Sequence, residues 1–250
     1  MAGNNRPLTW DNTGERYFET GIDRGVLFVL RSGRYSTGVP WNGLTAVNES
    51  TSGAESNPVY ADNMKYLNLI SAEEYKATIE AYSYPDEFKP CIGETEIKRG
   101  LFAGQQKRNH FGFSFRSKHG DDVEGADKDY KIHLIFDCIA SPSERSYATV
   151  NESPEAMQYS WEVSTSPINI DGGKPSANLV LESKRFRSAG LMNVLKRIEN
   201  IIYGTATTDP TFPTMANIMD AYDLEMYLRD STNDELLDST GAKLISRVFD

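Results

Sequence analysis

The chain has 250 residues, enough for one large domain with a substantial buried core. Its formal net charge of −10 excludes a protein that grips nucleic acid, because holding phosphates takes cations that displace counterions. No run of 18 apolar residues occurs, which argues against a membrane-spanning helix.

In chain order, residues 1–16 are polar and unpatterned and read as a loose arm without the apolar region of an export signal. Tyr17 to Glu19 and Gly25 to Leu30 read as strands around a turn at Ile22-Asp23-Arg24, bracketed by Gly21 and Gly25. Arg31 to Trp41 reads as a Gly-, Ser- and Pro-containing loop. Gly43 to Asn48 reads as a strand, and the following ESTSGAESN as a polar loop without apolar periodicity. Val59 to Ile70 predicts a hairpin turning at Ala61-Asp62-Asn63, since Asp and Asn tolerate the positive φ of a tight turn. Ser71-Ala-Glu-Glu74 has the form of a capping box. The β-branched and aromatic content of Tyr75 to Tyr84 limits it to one helical turn, with a strand after it. Pro85 ends that strand, and Cys91 to Gln106 reads as connector.

Asn109 to Ser117 has the clearest alternation in the chain, with Phe111, Phe113 and Phe115 on one side and polar residues on the other. A loop is expected at residues 118–122. Tyr130 to Ile139, with Ile132, Leu134 and Phe136 inward, and Met157 to Ser166 alternate likewise. A turn at Asp171 to Pro175 leads to a last strand at Ala177 to Glu182. The one long helix runs from a Ser188 cap to Tyr203. It carries Leu191, Val194, Leu195, Ile198, Ile201 and Ile202 at helical spacing, and Gly204 stops it. Residues 205–214 read as a linker, Thr214 to Arg229 as a second short helix, and the rest as an acidic tail whose LISRVF segment suits an edge strand. From Asp220 to Asp250 eight Asp or Glu stand against Arg229, Lys243 and Arg247.

Groupings that do chemistry are missing from the pattern. His110, His119 and His133 match no zinc or triad spacing, and they read as surface or packed imidazoles. The adjacent carboxylates Glu73-Glu74, Asp86-Glu87 and Asp121-Asp122 point apart on regular structure and make poor acid–base pairs. Gly172-Gly173-Lys174 lacks the spacing of a phosphate cradle. Cys91 and Cys138 form no CxxC pair; a reducing compartment is the simplest reading, and a single disulfide stays open. Asn48-Glu-Ser and Asn151-Glu-Ser fit a glycosylation sequon that has no export signal to act on. The repeat of Val-Asn-Glu-Ser at 47–50 and 150–153 is too short to mark a duplication. No catalytic, metal-binding or cofactor-binding set is expected, and a surface function follows.

Several segments carry a family resemblance: YFETGIDRGVLF (17–28), GVPWNGLTAVNES (38–50), residues 52–88 with the runs YADNMKYLNLISAEE and IEAYSYPDEF, GQQKRNHFGFSFRS (104–117), residues 130–168 and KPSANLVLES (174–183). Through them the sequence resembles the major tail proteins, or tail tube proteins, of long-tailed, siphovirus-type bacteriophages. The match covers most of residues 17–204 and fades after about Thr205. The resemblance implies a mainly β fold, a β-sandwich or barrel-like sheet pair flanked by one helix, with an arm at 1–16, a body at 17–204 and an acidic extension at 205–250. It implies no enzyme activity. Six copies would close into a ring, and rings would stack into a virion tail tube assembled in the host cytoplasm. The partners implied are other copies of the chain, a tape measure protein and a tail terminator protein. DNA would pass through an acidic lumen that repels phosphate. Candidate oligomer contacts are Trp41, Glu49 and Glu55 in the two loops at 31–41 and 48–58, Tyr60 in the hairpin, and Lys107 and Arg108 in a short basic cluster. These loops are long enough to order on a neighbouring subunit. The alternative is a monomeric β-sandwich module that binds carbohydrate or protein on an aromatic platform of Trp41, Tyr60 and Trp161.

Overall fold

Three phenylalanines spaced two residues apart set the architecture. Phe111, Phe113 and Phe115 lie on one side of a central strand and are buried there. The structure, a computed structural model, describes residues 8–147, 149 and 156–223. Outside these residues fall the first seven residues of the arm, the sequon at Asn151, the end of the second predicted helix, and most of the acidic tail with its LISRVF segment.

Thirteen antiparallel strands occur among the described residues: β1 (Tyr17–Arg31), β2 (Arg34–Tyr35), β3 (Val39–Trp41), β4 (Leu44–Gly53), β5 (Ser56–Ala61), β6 (Met64–Ile70), β7 (Glu73–Ala81), β8 (Thr95–Lys98), β9 (Leu101–Ala103), β10 (Phe111–Asp121), β11 (Gly125–Ala140), β12 (Tyr159–Thr165) and β13 (Asn178–Glu182). Nine of them form one sheet along the path β2-β1-β10-β11-β12-β7-β4, with β3 on β1 and β13 on β11. The long strand β11 changes partner midway. Lys131 to Ile135 pair with β13, whereas Cys138 to Ala140 pair with β12. Between these stretches lies Asp137 at φ 44°, and the register against β10 slips nearby. Such a bulge bends a strand and re-aims its side chains. Here it carries β12, β7 and β4 over the face of β1 and β10. The strand pairing does not close into a barrel; β3 leads into β4 through the turn at Asn42-Gly43.

Two cores result. Between the sheet layers lie Leu27, Trp41, Phe88, the three phenylalanines and Ile135, against Ala77, Ile79, Trp161 and Val163. Behind β1, β10, β11 and β13, a second core joins Phe28, Ile132, Leu134, Phe136 and Leu181 to α1 (Ala189–Tyr203) and α2 (Met215–Asp223). Ser188 caps α1 by accepting a hydrogen bond from Leu191 N at 3.4 Å, as its sequence position predicts. Val194, Ile198 and Ile202 are fully buried, while Leu191 at the helix start stays 37% exposed. Cys91 and Cys138 are both free and buried in the first core.

The structure corrects several sequence expectations. β1 runs straight through the turn expected at 22–24, absorbing Gly21 (φ 62°) and Arg24 (φ 51°) as bulges beside β10. The loop at 31–41 holds β2 and β3. The polar loop at 49–57 is mostly strand, β4 and then β5. It lacks apolar alternation because its residues are exposed on both faces. The capping box starts no helix: Glu73 begins β7, and the Ser71 hydroxyl instead accepts from Glu55 N at 3.0 Å. The connector at 91–106 contains the β8–β9 hairpin. β10 continues through the loop expected at 118–122 as far as Asp121, whose buried carboxylate organises the turn by accepting from Val123 N and Glu124 N. The linker at 205–214 is anchored by Phe212, which is buried with its ring 4.7–5.1 Å from those of Phe28, Tyr35 and Phe136. The second short helix expected from Thr214 is α2, which packs with α1 behind the sheet.

Candidate assembly surface

Among the described residues β5 and β6 pair only with each other, and they form a two-stranded wing. Asp62 (φ 51°) and Asn63 (φ 62°) make the tight turn that the sequence predicts. Tyr60, Met64, Tyr66 and Ile70 are 67%, 64%, 69% and 69% exposed. Across the ladder Val59 faces Leu67 and Asn57 faces Leu69 on one face, and Tyr66 and Ile70 alternate onto the other, so both faces of the wing carry apolar side chains. An apolar run such as Tyr66-Leu-Asn-Leu-Ile70 normally marks a strand buried on both sides. An isolated hairpin is marginal in water by itself. The wing therefore has the composition of a core strand pair without a core of its own.

The outer face of β4, β7 and β12 is different in kind. Register and alternation place Asn48, Ser50, Ser52, Glu74, Lys76, Thr78, Glu80, Ser160, Glu162 and Ser164 on it, opposite the half-buried Val47 and the buried Ala77, Ile79, Trp161 and Val163. Gln158 donates to Glu80 at 2.9 Å and to Thr45 at 3.0 Å, and Asn48 donates to Glu80 at 3.3 Å. The face carries three carboxylates to one ammonium, with no aromatic ring among these side chains.

Where the wing joins the body, polar groups meet inside the sandwich. Glu49 Oε1 lies 3.3 Å from His133 Nδ1, and His133 Nε2 lies 2.9 Å from the Ser117 hydroxyl. His133 stacks flat on Phe115, with ring centroids 4.4 Å apart. The neighbouring imidazole holds the Glu49 carboxyl below its usual range against the opposing effect of burial. Burial first, then the neighbouring Glu49, pushes the pKa of the Tyr75 hydroxyl up. The order Glu–His–Ser is that of a hydrolytic triad, yet Ser117 sits mid-strand between β1 and β11. The neighbouring amides belong to those ladders, which leaves no free donors for an oxyanion. Among the described residues no group of three or more His, Cys, Asp or Glu side chains is placed to hold a metal ion.

The sequence-derived contact residues separate into three places. Glu49, Glu55 and Tyr60 lie on the wing or at its root, and Tyr60 is exposed. Lys107 and Arg108 precede β10. Lys107 is exposed, while Arg108 turns inward, donating to Ala140 O at 2.5 Å and lining a cavity of about 270 Å³ with Glu94 and Arg145. Trp41 belongs to the core: it is 3% exposed, packs against Phe88, Phe113 and Trp161, and donates through Nε1 to Ser83 O at 2.9 Å. With Trp161 also buried, the aromatic platform of the alternative reading does not form. Sequence reasoning missed Met64, Tyr66, Leu69 and Ile70, whose two-faced apolar pattern was the available signal. It also missed the Glu49–His133 pairing, which spans 84 residues and has no local signature.

No protein-family model matches the sequence, and no curated protein matches it. Among solved structures, a chain of the anti-feeding prophage (AFP) baseplate, determined by cryo-electron microscopy with 6-fold symmetry, resembles this fold at a TM-score of 0.34 and 6% identity. That likeness covers 70% of this chain and 97% of the other, and it is too low to bear on function.

Proposed function

We propose that this chain is a structural component of a phage-tail-like particle, and specifically a tail tube protein. Six copies close into a ring, and the rings stack into a conduit for the genome. The observation that carries this reading is the wing, whose apolar residues the rest of the described chain leaves exposed and a neighbouring copy would bury. A symmetric ring of identical copies supplies such a surface to every protomer. The sequence resemblance across residues 17–204 supports the family. The bare face of β4, β7 and β12 suits the lumen wall: its carboxylates outnumber its one ammonium, Lys76, three to one, and it offers DNA no stacking rings. In the same reading a tape measure protein and a tail terminator protein bound the tube, the extension at 205–250 follows the body, and Glu55 and Tyr60 contact the next subunit. Catalysis has no part in it.

Electron microscopy of the purified full-length chain tests the proposal. Six-fold rings or tubes are expected, and a variant with residues 56–70 replaced by a short Gly-Asn turn should stay monomeric. A wild-type chain that is monomeric at every concentration would overturn the reading.

A further inference from the structure

We infer that the wing of one copy docks, head to tail, on the β8–β9 hairpin of the next copy. This rests on the assembly reading and names the surface that receives the wing.

The chain holds a second strand pair of the same kind. Among the described residues β8 and β9 pair only with each other. Ile97 and Leu101 are more than half exposed, and Phe102 is 41% exposed beneath the Lys89 ammonium, which lies 4.2 Å from its ring centre. The two pairs differ in charge. From Glu55 to Glu74 the carboxylates of Glu55, Asp62, Glu73 and Glu74 stand against Lys65. From Thr95 to Lys107 the cations Lys98, Arg99 and Lys107 stand against Glu96, whose Oε1 is taken up by the turn, accepting from Gly100 N at 2.7 Å. These four wing carboxylates and three hairpin cations are exposed, and none has an ion-pair partner among the described residues. The basic run at Lys184 to Arg187 is spent internally: Lys184 and Arg185 each lie 3.6 Å from Glu182, and Arg187 lies 2.9 Å from Asp129. The β8–β9 hairpin therefore offers the wing both an apolar surface and uncommitted charge of the opposite sign.

Their places in the fold fit a head-to-tail contact. β7 begins beside the wing at Glu73 and ends at Ala81, which lies opposite Tyr159 on β12. The Arg145 guanidinium sits over the rings of Tyr84 and Tyr159 and pairs at 2.8 Å with Glu94, the residue before β8. The hairpin thus leaves the body at the Ala81 end of β7 and the wing at the Glu73 end. The nine residues of β7 set the two about 30 Å apart. A surface at one end that fits a surface at the other makes a heterologous contact, the kind that repeats from copy to copy. Two wings facing each other would instead set like charges side by side and close after two copies.

Charge reversal on the full-length chain tests the pairing, read by sedimentation velocity over a concentration series and by electron microscopy. Glu55→Lys with Glu73→Lys, and separately Lys98→Glu with Arg99→Glu, should each raise the concentration needed for assembly about tenfold at low salt. An equimolar mixture of the two variants should assemble within about threefold of the wild-type concentration, because each then meets a wing or hairpin of opposite sign. A chain carrying all four substitutions should do the same. Near-ultraviolet circular dichroism of the buried Trp41 and Trp161 confirms that each variant retains its core. Unchanged assembly in the folded hairpin variant, or a loss that mixing does not rescue, overturns the pairing, while wild-type rings would leave the tube reading intact. Rescue by mixing into oligomers that are not rings would support the pairing and overturn the tube. A wild type that stays monomeric overturns both.

Discussion

The strand pairs β7–β12 and β5–β6 have similar lengths and opposite fates. In the first, every second side chain is buried: Ala77, Ile79 and Ala81 face Val163, Trp161 and Tyr159 across the ladder, and all but Tyr159 are 1% exposed or less. In the second, all side chains from Met64 to Ile70 are exposed although the segment is at least as apolar. Hydrophobicity alone therefore did not decide which strands enter the core. The difference lies in what each pair can fold against. β7 and β12 are carried over the first sheet by the bulge at Asp137, whereas the wing projects past the last rung of the sheet. In the proposed assembly a neighbouring copy covers that apolar surface.

This contrast can be broken by substitution. Phe88→Ala, in the middle of the aromatic cluster with Trp41, Phe111 and Trp161, should cost the body about 3–5 kcal/mol by denaturant unfolding. A loss under about 1 kcal/mol would mean that the sandwich core is not the stabilising unit. A second test uses acid. Hydrogen bonds from Glu124 N, then the Lys128 ammonium, hold the Asp121 carboxyl down at about 2 against burial, compared with 3.8 for the free group. A depressed carboxyl contributes stability that is complete above its unfolded value and lost as pH falls through the folded one. Wild-type stability should thus decline between about pH 4 and pH 2, and Asp121→Asn should shallow that limb of an acid titration. Third, a Cβ at Gly112 would lie 2.9–3.0 Å from ring atoms of Phe212. Gly112→Ala should cost about 1–3 kcal/mol, and Phe212→Leu in the same chain should recover part of it if residues beyond 204 belong to the body. Ser188→Ala, removing the α1 cap, should cost about 0.5–1 kcal/mol in the same unfolding assay.

What the sequence revealed follows the same division. β10, β11, β12, β13 and α1 were legible because one face of each is buried, and burial on one face writes a period of 2 or 3.6 into the residues. The wing turn was legible because Asp62-Asn63 has few other uses. β4 beyond Val47 was not, since Asn48 to Gly53 are held by backbone pairing to β7 and no pattern of side chains is imposed on them. The packing of Phe212 was hidden by the prolines at 210 and 213, which read as linker but frame a residue inserted behind the sheet. Of the candidate contacts, Glu49 and Glu55 were chosen through loop length and Tyr60 from the hairpin, and all three fall on the wing or at its root. Trp41 was drawn in by its aromatic ring, although it lies at the centre of the first core.

The central claim, that the wing's apolar residues serve another chain, is tested most directly by Tyr66→Asp with Leu69→Asp. Sedimentation velocity across a concentration series is to be read beside the unfolding midpoint. The prediction is a wild type that forms large assemblies and a variant that stays monomeric, with stability within about 0.5 kcal/mol of the wild type. A variant that assembles like the wild type, or one whose fold collapses with its assembly, would contradict it.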